Sequence, residues 1–324
     1  MKKVILNILR VIISLGLIYY LVHIANINKI ISAFQEISAF PIILAAIAFI
    51  ISMVFLAIRW LLLVQSYGIR ADFISLFVYY FIGLFFNNFL PTSIGGDLSR
   101  AYYLGQHSGK KAASLGTVFL ERVIGLLSTL SLAGLSLFWL VGYFNSRRIV
   151  YLTLFLGVIL IVFMLFVMSR RLYRRLNKLI SLITFYDIGD KISKVFDTLH
   201  YYRDKKMILI SAYFFSLFAQ FMLIVMNYIL ARGLGLDRVA FGYFFLLVPV
   251  TFLFSLFPSI NGIGVRDSGY VLLLTMQGLL PAQILSLSFL VTVIPIVMSI
   301  IGGAFLLFYR HKGLKTPILT EEKI

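Results

Sequence analysis

The chain has 324 residues, 61% hydrophobic and 13% charged, with a mean hydropathy of +1.01 and a formal net charge of +17. A soluble domain of this size cannot hide that much apolar surface, so the composition excludes a soluble enzyme or nucleic-acid-binding domain and predicts a polytopic membrane protein. The absence of cysteine excludes disulfides and thiol chemistry, and no run alternates polar and apolar residues as a membrane barrel would.

The first stretch, MKKVILNILRVIISLGLIYYLVHI, has a basic start, a long apolar run and no small-residue cleavage site after it. It predicts an uncleaved span near 4–24 rather than a signal peptide. The segment 27–38, INKIISAFQEIS, is amphipathic and is expected to lie along the membrane. A second span follows near 40–64, then a loop at 59–72 that carries Arg59 and Arg70. The apolar segment 73–89 leads into NNFLPTSIGGDLSR, Asn87 to Arg100. This stretch holds a proline, two glycines, an acid and a base with no polar break long enough to leave a membrane. The apolar stretch after it, 98–105, is too short to cross alone. Full spans near 113–142 and 149–168 come next.

The segment 169–206 carries ten Lys and Arg against four Asp. Within it, RRLYRRLNKLISLI (170–183) places Leu172, Leu176, Leu179, Ile180 and Ile183 at helical spacing. Two readings stay open here, an interfacial helix on anionic lipid and a solvated basic loop. A span near 207–231 is followed by the apolar segment 241–256 and a second interruption, FPSINGIGVRDSG, Phe257 to Gly269. Another short stretch, 268–278, precedes the last span at 283–309 and a tail at 311–324.

Charge orients this order. The basic segment 169–206 belongs in the cytoplasm, and so do Lys2 and Lys3, the loops around Arg70 and Lys110–Lys111, and the tail. The stretch 73–105 then starts and ends inside, and 241–278 starts and ends outside. A pair of complete spans has the same crossing parity, but the short returning segments favour two hairpins that dip in from opposite faces. The expected fold is therefore all-α: six full spans plus two oppositely oriented re-entrant helical hairpins in an inverted repeat. Residues 1–144 form the first repeat and 145–310 the second. Irregular backbone at membrane depth is tolerated only inside protein or along a polar cavity, so the hairpin tips are expected to meet near the midplane.

Six ionisable residues lie in or beside the apolar segments: Asp97, Arg100, Glu121, Arg122, Arg266 and Asp267. Each costs at least about 2.5 kcal/mol to insert unpaired. Asp97 and Arg100 are spaced to share a helix face, whereas Glu121 and Arg122 point apart and each needs a partner elsewhere. All six as structural locks is one reading. The other leaves Arg100, Arg122 and Arg266 available to a ligand, with Asp97, Glu121 and Asp267 balancing charge or coupling an ion. Gly95, Gly96, Gly262 and Gly264 are expected to leave backbone N–H groups open at the starts of returning helices, which favour anions. The four histidines are scattered at loops and span ends, so neither a metal cluster nor a catalytic group is expected, and no cofactor motif is present.

At these residues the chain resembles the lysylphosphatidylglycerol synthase transmembrane family, the flippase-like domain of UPF0104 proteins. The likeness spans nearly the whole chain and is carried by FLPTSIGGDLSRAYYL, TVFLERVIGLL and PSINGIGVRDSGYVLL. It assigns family positions to Pro91, Gly95, Gly96, Asp97, Arg100, Glu121, Arg122, Pro258, Gly262, Gly264, Arg266 and Asp267. Gly125 stands where relatives often carry Asp, and Asp267 where Glu is usual. In two-domain relatives this region is coupled to a soluble transferase that lysinylates phosphatidylglycerol, and the membrane part is credited with moving the product between leaflets. This sequence ends about fifteen residues after its last apolar span, so lysyl transfer is not expected here.

The resemblance and the residues together imply a flippase or scramblase for a phospholipid or polyprenyl-linked lipid, and no enzyme. A small-solute secondary transporter and a non-transporting partner of a lipid-modifying enzyme are the alternatives. Expected partners are membrane lipids with an anionic headgroup, not nucleic acid; a second copy of the chain or a lipid-modifying enzyme stays open.

Overall fold

The computed structural model describes residues 37–89, 94–140, 158, 198, 200–255 and 264–311. Among them lie eight α-helices: α1 (Ala39–Ser66), α2 (Phe73–Phe89), α3 (Ile94–Ser108), α4 (Lys111–Leu140), α5 (Lys206–Gly233), α6 (Phe241–Phe254), α7 (Val265–Thr275) and α8 (Pro281–His311). A single 3-10 turn, Tyr202–Asp204, precedes α5. The expected first span, the segment 170–183, the tail, and the tips with Pro91, Pro258 and Gly262 lie outside the described residues, as do nearly all of 27–38 and 149–168.

Helices α1, α4, α5 and α8 are long and apolar enough to cross a membrane, and α2 and α6 are shorter apolar helices. Few of their residues interrupt the apolar run, and in hydrocarbon a helix satisfies its own backbone. Both returning stretches start earlier than expected; α3, with 15 residues, is also longer, while α7 has the expected 11. The 59–72 loop needs a larger correction. α1 continues unbroken to Ser66, and Arg59 is 5% exposed inside it. Arg59 is not a loop cation that orients the chain; LLLV after Trp60 extends the apolar run beyond it.

The packing of the first four helices is repeated by the last four. α2 packs on α8 as α6 packs on α4. The contacts α2–α3, α3–α4 and α1–α2 are matched by α6–α7, α7–α8 and α5–α6. The contacts α1–α4 and α4–α5 have counterparts in α5–α8 and α8–α1. α1 and α5, each 28 residues long, pack on each other, joined by the Ser52 hydroxyl donating to the Ala219 carbonyl at 2.9 Å. Even the stops agree. Gly68 (φ 75°) and Gly235 (φ 69°) each follow their helix by two residues in the left-handed conformation that glycine adopts without strain.

The segment before α5 is tied to the end of α1. The Tyr201 hydroxyl donates to the Ser66 carbonyl at 2.6 Å and the Tyr202 hydroxyl to that of Leu63. Both rings pack on Tyr67. These bonds add acceptor contacts at the end of α1, where the Leu63 carbonyl also accepts from the Tyr67 amide at 3.2 Å, and they fasten the segment before α5 onto the first half.

Candidate functional site

Each carboxylate at the junction of α1, α3 and α4 lies between two guanidiniums. Arg59 donates to Glu121 Oε1 through Nη2 at 2.8 Å and Nε at 3.2 Å. Arg100 donates to Glu121 Oε2 at 2.9 Å and to Asp97 Oδ1 at 2.7 Å. Arg122 donates to the other oxygen of Asp97. The result is an alternating chain, Arg59–Glu121–Arg100–Asp97–Arg122, in which Glu121 is 0% and Arg100 7% exposed. α5 joins through Ser216, whose hydroxyl accepts from Arg59 Nη1 at 2.7 Å and lies 2.7 Å from that of Ser128 on α4. Arg100 also lies against the rings of Trp60 and Tyr80, 5.1 and 4.1 Å from their centres. This arrangement explains how five charges persist in apolar surroundings: an unpaired buried ion is costly, and the alternation gives each acid two bases.

Among the described residues this series has three bases and two acids, and it ends at the partly exposed Arg122. Gly125 lies beside its other end; a Cβ there would sit 3.4 Å from Arg59 Nη1. An acid at this position would have been the third.

At the start of α7 the groups are paired more sparingly. Asp267 accepts from the Gly264 amide at 2.9 Å and from the Ser288 hydroxyl of α8. Arg266 donates to the Thr292 hydroxyl and stands 3.7 Å from Asp267. Its Nε is buried with no hydrogen-bond partner among the described residues. The two sites correspond in sequence. Asp97 and its partner Arg122 are 25 residues apart, and the same interval separates Asp267 from Thr292. The interval that leads to Arg122 in the first half leads in the second to Thr292, which accepts from Arg266 and, among the described residues, is not bonded to Asp267.

The glycine amides are less open than expected. The Gly96 N–H donates to the Asn87 side chain at 2.8 Å, and the Gly264 N–H is taken by Asp267. These amides cap the helix starts from within the protein. Gly95 begins α3 buried, and Gly262 lies outside the described residues. Asp97, Arg100, Glu121 and Arg122 form one cluster; Arg266 and Asp267 form another with Gly264. Arg59, Ser216, Ser288 and Thr292 were not singled out from the sequence. Arg59 carried a usable signal, an arginine with apolar residues on both sides. The hydroxyls carried none, since serine and threonine are ordinary residues in membrane helices.

The family model described as "Lysylphosphatidylglycerol synthase TM region" matches residues 7–303. The chain belongs to this family. A UPF0104 membrane protein of Methanocaldococcus jannaschii is 33% identical over 153 residues, which cover 47% of this chain and 43% of that protein. The match spans less than half the length of that relative. No solved structure matches the chain. Membership in the lysylphosphatidylglycerol synthase transmembrane family agrees with the apolar helices and marks the protein as a multi-pass membrane protein. It covers both charged clusters, since all six of their family positions fall within the matched residues.

Proposed function

We propose that this protein moves a lipid with a phosphate-bearing headgroup between the two leaflets, as a transporter and not as an enzyme. The observation that carries the reading is Arg266 at the start of α7, whose buried Nε has no hydrogen-bond partner among the described residues. An ionisable group placed in a membrane helix marks a functional site, and an anionic headgroup suits its open donor. Arg266 is the contact group, since a guanidinium suits phosphate. Arg100 has both terminal nitrogens on carboxylates and holds the cluster together.

In this reading α2–α3 and α6–α7 are re-entrant hairpins entering from opposite faces. α3 and α7 fall below the roughly 17 residues a crossing needs, and the matched packing of the halves suits an inverted repeat. Both termini and the 169–206 segment are then cytoplasmic.

The test is transfer of labelled lipids by the purified protein in liposomes, with a panel of headgroups. The expected result is transfer of at least one phospholipid or polyprenyl-linked lipid, slowed in Arg266→Lys and slowed further in Arg266→Ala. Transfer by Arg266→Ala at the parent rate with an intact fold would overturn the site. No transfer of any lipid in the panel would overturn the activity. Labelling of Ser193→Cys from outside intact cells by an impermeant reagent would overturn the topology.

A further inference from the structure

The turn between α1 and α2 and the end of α3 border an open cleft of about 570 Å³, lined in part by Gln65, Gly68, Arg70, Asp72 and His107. Its polar groups divide into spent and unspent. Both oxygens of Asp72 are occupied by Ser75, at 3.0 Å from the amide and 2.6 Å from the hydroxyl. The Gln65 amide donates to the Ala71 carbonyl at 3.2 Å. Lys110 reaches across from the α3–α4 turn and donates to the Gly68 carbonyl at 3.1 Å. Among the described residues, Arg70 and His107 line the cleft without a hydrogen bond to protein.

We propose that this cleft is a second anion site, taking a phosphate ester. Arg70 offers a fork of N–H donors matched to phosphate oxygens, His107 adds a ring donor, and Lys110 is held at the rim with charge to spare. Asp72 keeps its charge, but both its oxygens are turned to Ser75, so Arg70, His107 and Lys110 are the groups that meet an incoming anion. The volume lies within the range of small-molecule sites, roughly 300–1,000 Å³, and exceeds a bare phosphate. It accommodates a headgroup or a soluble phosphate ester with its water.

The position gives the site meaning. Residues 97, 100, 104 and 107 follow helical spacing along one face of α3. Asp97 and Arg100 mark one end of that face and His107 the other, roughly 15 Å away at 1.5 Å per residue. The cleft is a separate station from the buried clusters, and its existence does not depend on lipid transfer.

The experiment follows the His107 ring resonances of the full chain in detergent, assigned with His107→Gln, at constant pH. The probes are inorganic phosphate and dihexanoyl phosphatidylglycerol, with sodium chloride at matched ionic strength as the control. The expected result is saturable movement with at least one probe and none with chloride; the tighter probe identifies the source, soluble or lipid. Arg70→Gln, an exposed substitution that leaves the unfolding temperature unchanged, weakens binding roughly tenfold, the worth of one charge-assisted contact. Absence of saturable movement with both probes, or parent affinity in Arg70→Gln, would overturn the site. Arg266→Ala separates the two proposals: its His107 response persists even where its lipid transfer is lost.

Discussion

Glu121 is the residue on which the buried chain depends most. It accepts from Arg59 and Arg100 at once, so Glu121→Gln leaves two guanidiniums short of a counter-charge in apolar surroundings. Stranding one side of a buried pair typically costs about 3–5 kcal/mol. The expected outcome is a marked fall in unfolding temperature in detergent. Arg59→Met alone should cost a similar amount. The double variant Arg59→Met/Glu121→Gln should lose less than the sum, because residues in direct contact are not additive. Simple addition would mean that the two residues stabilise the protein independently and that the 2.8 Å contact carries no coupling. The sequence made Glu121 visible as an ion in need of a partner, and it made the Asp97–Arg100 pair visible from spacing alone. Arg59 escaped because it sits close enough to a span end to be read as a loop residue. Hydrophobic patterning places span ends only to within a few residues, and here that margin decides whether a cation is solvated or buried.

At the scale of the element, helix starts and close approaches control the α2–α3 pair. A Cβ on Gly96 would lie 2.3 Å from the Gly83 carbonyl oxygen and 2.6 Å from Asn87 Oδ1. Gly96→Ala must therefore push α3 away from α2 and break the bond from the Gly96 amide to Asn87. Overpacking of this kind costs about 1–3 kcal/mol. It also shifts Arg100 one turn along, so the unfolding temperature and lipid transfer should fall together. A variant with both unchanged would show that the helices do not approach as closely as described. The sequence read these glycines as open amides for an anion. The residue that occupies one of them, Asn87, sits across the interruption on the preceding helix, where linear spacing gives no hint of contact.

The start of α2 lies outside the apolar run and titrates accessibly. Asp72 caps it, and the Ser75 hydroxyl, with the Ser75 amide and the nearby His107, holds the Asp72 carboxyl below its ordinary value despite some burial. A carboxyl lowered in the folded state stabilises above its unfolded pKa, and that contribution disappears as pH falls through the folded value. The parent should therefore lose stability on acidification through the ordinary carboxylate range and below it. Asp72→Asn keeps a capping side chain but should lack this portion of the acid loss, while Asp72→Ala should cost about 1 kcal/mol at neutral pH. Identical acid profiles for the parent and Asp72→Asn would remove Asp72 from the account.

For the whole molecule, the repetition of packing between the halves is clearer in three dimensions than in one. Little identity links the halves beyond matched breaks such as Pro91–Gly95 and Pro258–Gly262. The reason is chemical. Helix packing in an apolar medium asks for shape and small residues at contacts, and many sequences meet that demand. The charged positions diverge further. Where the first half has Arg122, the interval places Thr292 in the second; where it has a chain of ions, the second has Tyr270 donating to Asn227. The order of long and short apolar helices was legible because the lengths of the apolar runs record it. The division of labour between the halves was not, since it depends on which side chains meet across helices.

Charge in the Arg59–Arg122 chain ties the proposed lipid transfer to voltage. One elementary charge carried across the full membrane potential changes energy by about 2.3 kcal/mol per 100 mV. A cycle that shifts this chain through part of that field carries a different charge with an anionic headgroup aboard than on its empty return, so a potential favours one stroke over the other. Gly125→Asp, which puts a third acid beside Arg59, should lower the charge carried on both strokes by one unit. In liposomes with an imposed potassium diffusion potential, the substitution should shift the voltage dependence of lipid transfer. Transfer rates indifferent to potential in both proteins would mean that the charged chain stays fixed in the field while the lipid moves past it.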